Sequence, residues 1–175
     1  GQNWDADGWR EVAPRFVARD VPAFALNLRG HGGSTGTVVE FTPGRPWSPV
    51  TDLRTAKAWL RERGVVEIAL VGASLGGHAV LASSFDGDAE CVVSISAPVV
   101  PVPDELSRMV RGRTLYVCAD GDRFYPNVLA SFAALTTQKM LVAYGGKEHS
   151  RAMFGAHYGD EMLDLVARFV ARGLG

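Results

Sequence analysis

Apolar runs and amphipathic stretches alternate along the whole chain, a pattern that predicts a parallel sheet with crossover helices. Trp9, Val12, Ala13, Phe16 and Val17 recur at helical spacing, with Pro14 predicting a kink or a late start. Residues 21–28 predict the first strand. Leu53, Ala56, Trp59 and Leu60 mark a helix, with Asp52 near its start and Gly64 beyond its end. Four further apolar runs, at residues 67–71, 91–96, 114–119 and 139–144, read as buried strands. Between and after them, helices are predicted over 77–83, 104–110 (a short one) and 127–135. A closing helix presents Met162, Leu165, Val166, Phe169 and Val170 on one face. Residues 29–49 form a long Gly/Pro-rich loop, and a loop of that length usually has a function or is mobile. No repeat or low-complexity tract interrupts the pattern.

Length and composition narrow the class. At 175 residues one domain spanning 1–175 is expected, able to bury roughly two-thirds of its unfolded surface. The net charge of -1 is spread without runs of like sign, so neither a nucleic acid nor an anionic membrane is the expected partner. No apolar run is long enough to cross a bilayer. Cys91 and Cys118 lie inside apolar strands and are expected to be buried thiols rather than a disulfide or metal ligands. No metal and no cofactor is expected. A cytoplasmic location is the expectation.

Candidate chemistry centres on Gly72-Ala73-Ser74-Leu75-Gly76, a G-x-S-x-G sequence between an apolar strand and a helix. A serine pinched into such a turn is the nucleophile elbow of a hydrolase. The turn strains the serine backbone and brings the residues two places either side almost together, so Gly72 and Gly76 are both expected to be required. Two other readings compete: a plain small-residue turn, and a dinucleotide-binding turn. The glycine spacing is not G-x-G-x-x-G, the next strand ends in Ala97-Pro98 without an acid for a ribose, and no G-K-[ST] occurs. A serine nucleophile needs a base, and the base an orienting acid. Asp120 and Asp122 follow the strand at 114–119, and His149 follows the strand at 139–144, in the order Ser, Asp, His. His157 is the main rival to His149, whereas His31 and His78 read as a turn residue and an elbow-helix residue.

These motifs resemble the α/β-hydrolase family over nearly the whole chain. Residues 26–34, Leu-Asn-Leu-Arg-Gly-His-Gly-Gly-Ser, resemble that family's turn after its fourth strand. The resemblance places Ser74 on the nucleophile, Asp122 on the acid (through its Asp-x-x-x-Pro spacing) and His149 on the base, with the Leu75 N–H in the oxyanion hole. Asn27 stands where an aspartate is common and Ser150 where a glycine often follows the histidine; both read as non-catalytic variation. The implied fold is α/β, a mostly parallel sheet flanked by helices on both faces, in α/β-hydrolase topology lacking the first strands. Residues 1–4 resemble the loop after the family's third strand, so the chain is expected to be a fragment or truncated at its start. The His-Gly pair that commonly precedes that loop, and the second oxyanion donor near it, are not in the sequence. Loss of the third strand is expected to leave two central edges unpaired, or joined across a gap of roughly 10 Å.

Residues 99–113 are too few for a lid domain, which implies an open site. Its walls are expected from Pro98, Val99, Phe124, Tyr125, Met153 and Phe154; Phe41 and Trp47 are as readily core or surface cover as substrate contacts. No arginine cluster is expected there, which disfavours a strongly anionic substrate. The leading expectation is a lidless serine hydrolase acting on a small neutral ester through an acyl-enzyme. The alternatives are a non-catalytic hydrolase-fold scaffold or inactive fragment, and a thioesterase, peptidase or acyltransferase with the same triad.

Overall fold

The structure, a computed structural model, describes residues 5–38, 47–98 and 108–174. A four-stranded parallel sheet forms its centre, ordered β1 (Ala69–Ala73), β2 (Cys91–Ile95), β3 (Arg113–Ala119) and β4 (Lys139–Tyr144). Sequential strands lie side by side because each is followed by a helix that packs back onto the sheet. Three helices, α2 (Ser48–Arg61), α3 (Leu75–Ser84) and α4 (Tyr125–Ala134), contribute to the core on one face. The short α1 (Ala13–Val17) and the closing α5 (Gly159–Ala171) cover the other. Both faces are therefore covered, which explains why β2 reads as an unbroken apolar run: all five of its residues are buried. Alternation divides them, with Val93 and Ile95 facing α5 while Val92 faces α3.

Pro14 occupies the first turn of α1, the position a helix tolerates, and a 3-10 turn (Ala6–Trp9) precedes it. The late start is thus the outcome rather than one continuous helix. The α2 helix begins earlier than its apolar stripe suggests, with Pro49 in its first turn. Asp52 consequently lies inside α2, where its carboxylate accepts from the Arg29 backbone and guanidinium. Gly64 adopts φ +83 just beyond α2, as a helix-ending glycine should. Of the short helix expected over 104–110, residues 104–107 lie outside the described residues, and Arg108 and Met109 form a turn.

Residues 21–28 do not form the expected strand: none of them joins the sheet. Their apolar side chains instead line one wall of a cavity of about 800 Å³ whose opposite wall is β1. A strand without a neighbour at hydrogen-bonding distance has no ladder to form, whatever its composition. The outer edge of β1 faces this space.

Candidate active site

One residue, Ser74, separates β1 from α3, so the chain must reverse from strand to helix within it. Its backbone takes φ 54 and ψ -119, a region that L-residues avoid at a cost of about 1–3 kcal/mol. Two hydrogen bonds hold it there. Ser74 N–H donates to Ile95 O at 2.8 Å, and His78 N–H donates to Ser74 O at 3.0 Å. The crowding in this turn is one-sided. A Cβ on Gly72 would sit 2.2 Å from Gly76 O, while one on Gly76 meets nothing within 4 Å. Gly72 is thus sterically required and Gly76 is not, which corrects the expectation that both were needed. Gly77, whose Cβ would lie 3.0 Å from Ile95 O, lets α3 approach β2 closely. The first amides of α3, beginning with Leu75, and the positive end of its dipole are directed at the elbow.

Asp122 follows β3 in a turn that the chain builds around the carboxylate. Asp122 N–H donates to Ala119 O, Tyr125 N–H donates to Asp122 O, and Phe124 N–H donates to Asp122 Oδ1 at 3.0 Å. Asp120 has a different task. Its Oδ1 accepts from Gly146 N–H at 3.2 Å, and Gly121 N–H donates to Gly146 O at 2.7 Å, so the loops after β3 and β4 are joined. That junction brings the loop carrying His149 beside Asp122.

The three side chains meet in line. His149 Nδ1 lies 2.8 Å from Asp122 Oδ2, and His149 Nε2 lies 2.9 Å from Ser74 Oγ. With the ring neutral, the acceptor at Asp122 fixes the proton on Nδ1, which leaves the Nε2 lone pair facing the Ser74 hydroxyl. The Asp122 side chain is 1% exposed and that of His149 31%, so the acid is shielded while the ring borders solvent. Next to the histidine, Ser150 adopts φ 58, the left-handed conformation that favours glycine. Its buried Oγ has no hydrogen-bond partner among the described residues. Asn27 is structural, accepting from Ala6 N–H at 2.6 Å through Oδ1.

The other histidines do other work. His31 Nδ1 lies 3.1 Å from Arg29 O, and the His157 ring packs on Tyr158. His78 is buried against the Trp47 ring, 4.5 Å between centroids, and burial lowers its pKa to about 4. Trp47 is therefore core. Among the expected wall residues, Phe124 packs on the His149 ring with centroids 5.2 Å apart. Tyr125 follows it as the first residue of α4, and Pro98 O accepts from the Asn127 side-chain amide. Val99 lies outside the described residues, as does Phe41. Met153 and Phe154 are corrections. Met153 is fully buried and Phe154 packs against Trp9, both within the core under α5, because the 3-10 turn Ser150–Gly155 points them inward.

Residues 1–173 match the family described as the alpha/beta hydrolase family. The chain belongs to that family. Its fold is shared by a protein described as a predicted CIB-like hydrolase from Thermoplasma acidophilum, with a TM-score of 0.77 at 17% identity over 98% of this chain and 83% of that one. It is also shared by the monoacylglycerol lipase of Paleococcus ferrophilus, with a TM-score of 0.78 at 14% identity over 99% and 92% of the two chains. A Pyrococcus furiosus esterase aligns with a TM-score of 0.74 at 16% identity over 95% and 77%. No match was found among curated proteins.

One neighbour of the site escapes a reading of the sequence. Cys118 Sγ lies 3.6 Å from Asp122 Oδ2. Its place one residue from the end of β3 and four before Asp122 is visible in the sequence, but the same place also suits an inert core thiol.

Proposed function

We propose that this protein is a serine hydrolase that cleaves a small uncharged carboxylic ester. The observation that carries this reading is the in-line contact from Ser74 Oγ through the His149 ring to Asp122. Neutral His149 takes the Ser74 proton at Nε2 as Oγ bonds to the ester carbon, and Asp122 stabilises the imidazolium that forms. The oxyanion is received by the Leu75 N–H at the start of α3. Collapse breaks the bond to the alkoxy group, which leaves as an alcohol with the proton from Nε2. Water then attacks the acyl-enzyme by the same route, giving up a proton to Nε2, and the carboxylic acid departs as Ser74 is restored.

Phe124, packed on the His149 ring, supports an uncharged substrate, and so do the lipase and esterase names among proteins of this fold. A protonated imidazole has no lone pair for the serine proton, so activity should rise with pH through the ionisation of His149. The test is reaction with a fluorophosphonate probe and turnover of p-nitrophenyl esters. Labelling should fall on Ser74, and Ser74→Ala should cost on the order of ten-thousand-fold or more in turnover. Folded protein that takes no label would overturn the reading in favour of a non-catalytic scaffold. Turnover of thioesters or amides at rates above those of esters would move the substrate class within the same chemistry.

A further inference from the structure

We infer that Cys118 is a positioning residue for the reaction at Ser74, its thiol donating a hydrogen bond to the same carboxylate oxygen of Asp122 that receives His149. The inference rests on the proposed hydrolase reading. Asp122 Oδ2 has His149 Nδ1 at 2.8 Å and Cys118 Sγ at 3.6 Å, while Oδ1 takes the Phe124 amide at 3.0 Å. A shielded carboxylate keeps its charge only if donors surround it, and the thiol completes a set of three. Cys118 is itself fully buried and sits opposite Ala143 in the parallel register of β3 with β4, so the sheet fixes the sulfur.

The thiol is protonated. Burial first, and then the Asp122 charge, push its pKa up to about 12. It has one proton and two acceptors in range, Asp122 Oδ2 and Ser96 Oγ at 3.8 Å. The carboxylate is both closer and charged, and a charged acceptor takes the stronger bond. Ser96 Oγ, whose own proton goes to Met153 Sδ at 3.4 Å, is the neutral and more distant acceptor.

The consequence is electrostatic as well as geometric. A donor on Oδ2 draws off part of the charge that would stabilise a protonated His149. Without it, Asp122 should hold the imidazolium more tightly, and the ring should bind its proton up to a higher pH. The other titratable groups of these loops and of α5's start, namely Asp120, Arg123, Tyr125, Lys147, Glu148, Arg151, His157, Tyr158, Asp160 and Glu161, are common to the proteins compared and cancel.

The experiment uses Cys118→Ala and Cys118→Val, one smaller and one larger than cysteine and both without a proton to donate. NMR titration of the His149 ring, assigned through His149→Gln, reads the shift without turnover; the pH profile of fluorophosphonate labelling reads it through Ser74. Both variants should move the His149 titration and the acid limb of labelling to higher pH, although their thermal stabilities change for opposite packing reasons. An unmoved titration in either folded variant overturns the inference, since a shift in only one of them reflects volume. Wild-type protein that resists labelling overturns the hydrolase reading instead, and the NMR titration still decides whether the thiol acts on Asp122.

Discussion

At the scale of single residues, the elbow shows how much of a motif is steric. The motif pairs two glycines, yet only Gly72 faces a backbone atom that a Cβ would strike, at 2.2 Å from Gly76 O. Neither atom can move without displacing Ser74 or the first turn of α3. Gly72→Ala should therefore unfold the elbow and abolish fluorophosphonate labelling, with a loss of several kcal/mol in denaturant unfolding. Gly76→Ala should retain labelling, and its better helix propensity should leave stability unchanged or raise it by up to about 1 kcal/mol. Equal damage from the two substitutions would show that the turn is crowded on both sides. The serine after the histidine makes the complementary point: Ser150 sits at φ 58, so the glycine preference there comes from backbone conformation rather than chemistry.

At the scale of elements, hydrogen-bonding partners outweigh composition. Residues 139–144 read as a strand from their apolar character and form β4 with those bounds, since β3 lies alongside in register. Residues 21–28 are comparably apolar and form none, because a cavity of about 800 Å³ separates them from β1. The edge of β1 should consequently be dynamic in a residue-by-residue way. Ser74 N–H donates to Ile95 O, so Leu70 and Gly72, in the same phase, turn their amides to β2, and Ala69 and Val71 turn theirs to the cavity. Native-state hydrogen exchange should find the Ala69 and Val71 amides at least about a hundred-fold faster than those of Leu70 and Gly72. Uniform protection along β1 would mean that its outer edge is paired.

At the scale of the whole molecule, the buried His78 couples stability to pH. The ring is 3% exposed and packed against Trp47, and its pKa of about 4 lies below the value of about 6.5 expected in the unfolded chain. The unfolded state therefore binds a proton first as pH falls. Stability tied to His78 is complete above about pH 6.5 and is lost as pH falls toward 4, amounting to about 2–3 kcal/mol at pH 4.5. Denaturant unfolding at pH 7 and pH 4.5 should show this loss in wild type, and His78→Leu should lose that much less between the two conditions. An identical pH dependence in both proteins would mean that the ring is solvated when folded.

The alternation of apolar runs and helical stripes by itself determined the layered α/β fold, and the order of Ser74, Asp122 and His149 after three successive strands determined the candidate chemistry. Both are local in origin, because strand and helix periodicities and turn chemistry act over a few residues. Tertiary structure decided what depends on neighbours distant in the chain. It chose His149 over His157, since Asp120 and Gly121 bind the Gly146 backbone and draw that loop to Asp122. It turned Met153 into core and left residues 21–28 without a ladder. Contacts between segments 20 or more residues apart are made by packing and loop closure, and no window of the sequence contains both partners.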